Sequence, residues 1–322
     1  MGPAGVKRLP APVLAPVLAL LLAITLAVPA TAAPGLWVVR DADTQISIFG
    51  TMHALPGNDR GLSPGNDRGL LPGNDRGLLP GNDPVLPPSV TRRLATADTL
   101  VLETVLPDDR MALGPLLSQL GLRPGQKPLM QRVSKPAAAK LIAATTQTGL
   151  SLAALDRMAT WLVALTISQT TLSAMGISSD NGVETRLTAM ARATGKPIIG
   201  LETPEQQLRF FDNLPEADQI LMLEATLDDV AAAKVEIDKL VALWRAGDVE
   251  TIARDFARDT NASPLLTKVL ITDRNSRWAD WITGVMKRPG KVFVAVGAGH
   301  LGGAQGLLAQ LRARGLTVEK VE

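Results

Sequence analysis

Gln45-Ile46-Ser47-Ile48-Phe49, followed at once by Gly50-Thr51-Met52-His53, is the stretch that decides the fold. Its branched and aromatic side chains predict a short β-strand. Gly50 lets the chain leave that strand tightly, so His53 turns back over the carboxyl end. The pattern occurs a second time, where the apolar run Lys291 to Val296 leads into Gly297-Ala298-Gly299-His300. The chain has 322 residues and 2 His, and both stand in this Gly-x-x-His context. One such residue would read as a structural imidazole; a matched pair points to shared function.

Further strands are predicted at Leu36 to Val39, set off by the turn Asp41-Ala42-Asp43, and at Thr99 to Leu106, Pro197 to Leu201 and Thr317 to Val321. Helices are expected over Ser89 to Ala97 and Gly303 to Arg314, with a helical pattern from Asp108 to Gly195. Leu152, Leu155, Met158, Leu162, Leu165, Leu172 and Met175 recur there at helical spacing. A second helical block carries Ile220, Leu223, Leu227, Val230, Ile237, Val241 and Trp244 as an apolar stripe, broken at Lys234. Such stripes belong to a core rather than to a cofactor surface. Strands at both ends with helical blocks inserted between them predict an α/β fold around a central mixed β-sheet.

Composition narrows the chemistry. With 0 Cys, disulfide frameworks, thiol catalysis and thiolate metal sites are excluded. Any imidazole base or His-ligated metal must use His53, His300 or both. The net charge of +2 rests on Lys7 and Arg8 in the first 32 residues, which contain no acid. Without that segment the acidic and basic side chains balance, which removes the electrostatic case for nucleic acid or an anionic membrane.

Residues 1–32 have the layout of a secretory signal: Lys7 and Arg8, an apolar run from Val13 to Val28, and the small-residue site Ala30-Thr31-Ala32. The expectation is export to the periplasm or the medium, with membrane contact only if the segment stays uncleaved. The mature domain is expected over 33–322. Within it, Pro-Gly-Asn-Asp begins at Pro56, Pro64, Pro72 and Pro80, an octapeptide repeat over 56–83. Its Pro, Gly and Asn-Asp content suits turns, so it reads as a loop lengthened by duplication rather than a packed unit.

Four candidate residues stand at or beyond the carboxyl ends of predicted strands: His53, Glu103, Glu202 and His300. Glu103 lies in an apolar run, where a charge is costly unless paired or bound to a cation. Glu202 precedes a helix start that Thr203, Pro204 and Gln206 already cap, so capping does not explain it. Glu184 reads either as the partner of Asn181 in a capping pair or as a site residue. In α/β sheets that edge is where ligands bind, and parallel neighbouring strands would gather these groups together. Mixed His and carboxylate ligands suit a divalent ion, Zn, Mn, Fe or Co. A metal-free site with His53 as base, oriented by a glutamate, is equally consistent with these residues. Gly297-x-Gly299-x-x-Gly302 also matches the dinucleotide fingerprint, but too few residues follow it to complete a nucleotide-binding half.

Taken with GTMH at 50–53, TLVLET at 99–104, GVETRL at 182–187, GLETPEQQ at 200–207, DRN at 273–275 and VGAGHLGG at 296–303, the chain resembles the TraB/GumN (PrgY, TIKI-like) family over roughly Gly35 to Val321. The resemblance implies an α/β fold related to erythromycin-esterase-like and ChaN-like proteins. In TIKI members it implies a metal-dependent peptidase. Carried over, His53 and His300 fill the paired motifs and, with Glu103, would hold the metal; Glu184, Glu202, Arg274 and Asn275 would face the same cleft. Arg274 reads equally well as a helix-surface charge beside Trp278, Trp281 and Ile282. The octapeptide repeat departs from the family pattern. The resulting expectation is an exported metal-dependent hydrolase acting on a peptide or small molecule. Its rival is a non-catalytic envelope protein that binds a peptide, polysaccharide or haem.

Overall fold

The computed structural model describes residues 33–57, 85–230, 233–260 and 263–322. The leader-like segment lies outside the described residues, as do residues 58–84, which hold all but the first two positions of the octapeptide repeat. In chain order the strands are β1 (Leu36–Arg40), β2 (Thr44–Thr51), β3 (Leu55–Pro56), β4 (Thr99–Thr104), β5 (Ile177–Ser178), β6 (Ile198–Glu202), β7 (Gly290–Gly297) and β8 (Val318–Lys320). Six of them form one sheet in the order β6-β4-β7-β2-β1-β8, and β3 pairs with β5.

β1 and β2 make a hairpin turned by Asp41, whose Oδ1 accepts from the backbone N–H groups of Asp43 and Thr44 at 3.2 and 2.8 Å. β2 is buried along nearly its whole length, as expected of a strand covered on both faces. β6, β4, β7 and β2 run parallel; β1 is antiparallel to β2, and β8 pairs antiparallel with β1, so β1 alone opposes the other strands. The sheet is mixed, as the sequence predicts.

Helices of seven or more residues are numbered α1 (Pro88–Thr96), α2 (Gly114–Gly121), α3 (Lys135–Thr148), α4 (Thr160–Ala174), α5 (Val183–Ala193), α6 (Pro204–Asp212), α7 (Glu216–Val230), α8 (Ala233–Arg245), α9 (Val249–Thr260), α10 (Asp273–Val285) and α11 (Leu307–Ala313). The capping box at Thr203 forms as expected, with Gln206 returning the bond and Pro204 in the first turn. Among the described residues no helix is long and apolar enough to cross a membrane.

The main core packs the sheet against α1, α5, α10 and α11, through residues such as Leu94, Leu187, Ile282 and Leu311. A second core lies inside the helical block, with Leu129, Leu141, Ile167, Leu223 and Leu227. Here the structure differs from the stripe predicted over Ile220 to Trp244. α7 gives Leu223 and Leu227 to the second core, while α8 gives Val241 and Trp244 to the first. One sequence stripe serves two cores because it is divided between two helices, one ending at Val230 and the next beginning at Ala233. The last helix also starts later than predicted, at Leu307, because Gly303 takes φ 79°. A Cβ at Gly302 would stand 2.2 Å from the Val249 carbonyl oxygen, so contact with α9 accounts for that glycine of the fingerprint-like run.

Candidate functional site

The parallel register brings the predicted residues to one sheet edge. Thr51 pairs with Gly297 across β2 and β7, Leu102 with Ala295 across β4 and β7, and Thr104 with Glu202 across β4 and β6. His53, His300, Glu103 and Glu202 therefore come from four adjacent strand ends. α5 and α10 supply Glu184, Arg274 and Asn275 from either side.

His53 Nδ1–H donates to Glu184 Oε1 at 2.6 Å, and the Thr51 hydroxyl donates to the same oxygen. The Glu184 charge is the main reason the His53 pKa rises, to about 9; burial opposes the rise and Glu103 adds to it. The ring is 64% exposed, so solvent screens the pair, and the contact fixes orientation and protonation more than it adds stability. The other oxygen, Glu184 Oε2, is buried without a hydrogen-bond partner.

His300 is held in the opposite state. Burial drives its pKa down, to about 3, with Arg274 adding to the fall and Glu103 opposing it. Its neutral ring donates from Nδ1 to Asn275 Oδ1 at 2.8 Å and accepts at Nε2 from Arg274 Nη1 at 3.1 Å. The Asn275 amide also donates to the His300 and Gln305 carbonyls at 3.1 and 2.9 Å. That fully buried side chain ties α10 to the second Gly-x-x-His turn.

Glu103 lies between the two rings. Its Oε1 stands 3.8 Å from His53 Nε2 and 3.9 Å from His300 Nε2, and accepts from the Gly297 N–H at 2.7 Å. Burial alone would raise its pKa; the facing imidazoles, the Arg274 guanidinium and the Gly297 N–H outweigh it and hold it down near 2. A Cβ at Gly297 would fall 3.1 Å from His53 Nε2 and 3.2 Å from Glu103 Oε1. A side chain here would press on both groups, so glycine leaves the space between them open.

Arg274 is buried, so the helix-surface reading does not describe it. Its Nη2 donates to Glu103 Oε2 and Glu202 Oε2, both at 2.7 Å, and its Nε to Glu202 at 3.0 and 3.1 Å. Trp278 Nε1–H and Gln207 Nε2–H also donate to Glu202, both at 3.1 Å. The guanidinium carbon sits 4.7 Å from the Trp278 ring centre and 5.5 Å from that of Phe210. A π-helical turn, Lys268–Thr272, leads directly into α10 and presents the Leu270 carbonyl to Arg274 Nη1 at 3.3 Å. Thr51, Gln207, Phe210 and Trp278 are site residues that the sequence did not single out. Trp278, one helical turn after Arg274, is the one with a readable signal.

A cleft of about 710 Å³ opens beside this cluster, bordered by His53, Arg274 and Gly297 to His300 and continuing between α4, α8 and α9. Two imidazole nitrogens face one carboxylate oxygen, and each ring's other nitrogen is pinned by a polar partner, which is how metal-ligating histidines are held. The donor set of His53, His300 and Glu103 thus fits a divalent ion. Among the described residues, no three His, Asp or Glu side chains stand close enough to hold one as placed. The 3.8 and 3.9 Å separations exceed the roughly 3.4 Å expected between tetrahedral ligands with ~2.0–2.2 Å bonds. Binding therefore requires a small inward movement and the release of His300 Nε2 by Arg274.

A model of the TraB/PrgY/gumN family matches residues 80–320. That span holds Glu103, Glu184, Glu202, Arg274, Asn275 and His300, but not His53. Two curated proteins, both called "Uncharacterized protein YbaP", from Escherichia coli (strain K12) and Shigella flexneri, are each 25% identical over 227 residues, covering 70% of this chain and 81% of theirs. No solved structure matches.

Proposed function

Because this chain belongs to the TraB/PrgY/gumN family, with its reactive groups gathered at one cleft, we propose that it is a hydrolase acting on an amide bond, a peptide bond included. One observation carries this reading: a buried carboxylate oxygen faces two imidazole Nε2 atoms, at 3.8 and 3.9 Å, at the wall of an open cleft. Both separations are longer than a direct hydrogen bond, so neither Nε2 atom is spent on that oxygen.

In the proposed reaction His53, His300 and Glu103 would hold a divalent ion, Mn, Co, Zn or Fe. When bound, such an ion supplies Lewis acidity and lowers the pKa of water. Glu184 keeps His53 Nδ1–H oriented and is placed to take up and return a proton through that contact. Arg274 offers guanidinium N–H groups to the negative charge that develops on the substrate carbonyl. Both oxygens of Glu202 are engaged by Arg274, with Trp278 and Gln207, so Glu202 acts by positioning the guanidinium. Asn275 fixes the His300 tautomer. A metal-free form of the same reaction, with protonated His53 delivering its Nε2 proton to the leaving amine, is favoured by one contact: Arg274 Nη1 already occupies His300 Nε2 at 3.1 Å. The leader-like segment supports placing the reaction in the periplasm or the medium.

The test is cleavage of a peptide and acyl-amide panel by wild type and Glu103→Gln, after chelation and with each ion restored, alongside calorimetric titration of the ions. The expected result is ion binding and a loss of at least about 100-fold in the variant. Cleavage that survives chelation but vanishes in His53→Ala supports the metal-free form. No cleavage by wild type, with or without ions, overturns the hydrolase reading.

A further inference from the structure

Away from the reactive cluster, the cleft is walled by Leu172 on α4, Ile177 on β5, Leu240 and Leu243 on α8, Phe256 on α9 and Ile271 in the π-helical turn. Contiguous apolar surface of this kind, open at a reactive centre, is a binding surface for an apolar part of a substrate.

Two kinds of substrate could present such a part, a peptide with large apolar side chains or a hydrocarbon chain, and the polar groups on the wall separate them. A peptide segment brings an N–H and a C=O with every residue, and each needs a partner when buried. The wall has little to offer. The Thr226 hydroxyl is spent on the Met222 carbonyl at 2.9 Å, and the charged groups on the wall are paired with one another: Lys239 with Asp255 at 2.7 Å and with Glu236 at 3.9 Å, and Arg258 with Asp255 at 3.8 Å. The hydroxyls of Ser168 and Thr171 remain, the latter buried with no hydrogen-bond partner; two hydroxyls on one helix cannot serve a peptide backbone. A hydrocarbon chain makes no such demand.

We propose that the acyl side of the substrate is a long, unbranched apolar chain, so that the protein binds fatty-acyl groups along this wall and releases them from an amide nitrogen at the His53–Glu103 end. The release step rests on the hydrolase reading above; the binding of the chain does not. In that step the oxygen of water bonds to the acyl carbonyl carbon and the carbon–nitrogen bond breaks. The nitrogen leaves as an amine carrying a proton from the water, and the products are a carboxylate and an ammonium ion at neutral pH.

Two measurements separate the inference from the reading it deepens. The first is calorimetric binding of butanoate, octanoate, dodecanoate and hexadecanoate to the full chain. Affinity is expected to rise roughly two- to fourfold per methylene up to the length the cleft holds. Leu172→Glu and Ile271→Glu, each checked for folding by circular dichroism, should each weaken dodecanoate binding at least tenfold. Equal affinity for butanoate and dodecanoate, or dodecanoate binding unchanged in both folded variants, overturns the inference. The second is hydrolysis of N-butanoyl and N-dodecanoyl amides of one amine beside an apolar hexapeptide. A kcat/KM for the dodecanoyl amide at least tenfold above both supports the inference, and a preference for the hexapeptide overturns it. If the chain-length series holds in binding while no amide is cut, the acyl site stands and the hydrolase reading falls.

Discussion

His53 Nδ1 and Glu184 Oε1 are 2.6 Å apart, although the two residues are far apart in sequence, one in the turn after β2 and the other in the first turn of α5. Gly182 makes the approach possible: a Cβ there would stand 2.2 Å from the His53 carbonyl oxygen.

The contact has a direct readout. In Glu184→Gln the charge that raises the His53 pKa is gone, so it should fall from about 9 towards the ordinary value near 6.5. With only 2 His in the chain, NMR titration of the ring resonances follows each one separately. A His53 titration unchanged in the variant would rule out Glu184 as its partner. Hydrolysis should fall by roughly 10²-fold or more, the usual scale for loss of an acid–base partner.

His300 predicts acid sensitivity. Its folded pKa, about 3, lies below the ordinary value of 6.5. The unfolded chain therefore binds more protons between those values, and stability falls as pH drops from 6.5 towards 3. Glu103, held near 2 against an ordinary value of 4.5, adds a loss of the same sign but only below 4.5. His53 works in reverse: its contribution is complete below 6.5 and is lost as pH rises through about 9, reduced by its exposure. Thermal melts should thus show a midpoint falling between pH 6.5 and 4.5 in wild type and markedly less in His300→Gln. Equal slopes in that window would refute the assignment.

Arg274→Met should be costly. It strands the buried carboxylates of Glu103 and Glu202 without their shared cation, a change worth roughly 3–5 kcal/mol. A melting midpoint lower by about 10 °C is expected. Arg274→Lys should recover only part of this, since one ammonium cannot reproduce the planar fork that bonds both glutamates and His300. Full stability in the lysine variant would contradict the geometry.

Gly297→Ala isolates the gap between the rings. The added methyl presses on His53 Nε2 and Glu103 Oε1, and the exposed His53 ring can swing outward at little cost. Stability should drop by no more than about 1 kcal/mol while ion binding and hydrolysis fall at least tenfold. Retained activity would show that the gap is not where reaction occurs.

The sheet edge was legible because β2, β4, β6 and β7 are short apolar runs with their chemistry-bearing residue at the end, and the parallel arrangement follows from helical blocks between them. Glu103 could be read from the cost of a charge in an apolar strand. Arg274 could not: whether a helical arginine faces water or two glutamates depends on how α10 rolls against the sheet, and Trp278 and Ile282 define only a neighbouring face. The small β3–β5 pair, with Leu55 opposite Ser178, was also hidden, since two residues carry no periodicity. The division of the Ile220 to Trp244 stripe between two cores was not legible either, since Lys234 interrupts it without showing which core each half joins.

The pairing of Thr44 with Gly290 and Thr51 with Gly297 sets a timetable for the protein's life. The first histidine leaves the ribosome long before the strand that must lie beside it. A nascent chain that has not reached β7 therefore has His53 and Glu103 but no assembled centre. Cleaving power, on the reading above, arrives only once β7 and the turn that carries His300 have been made.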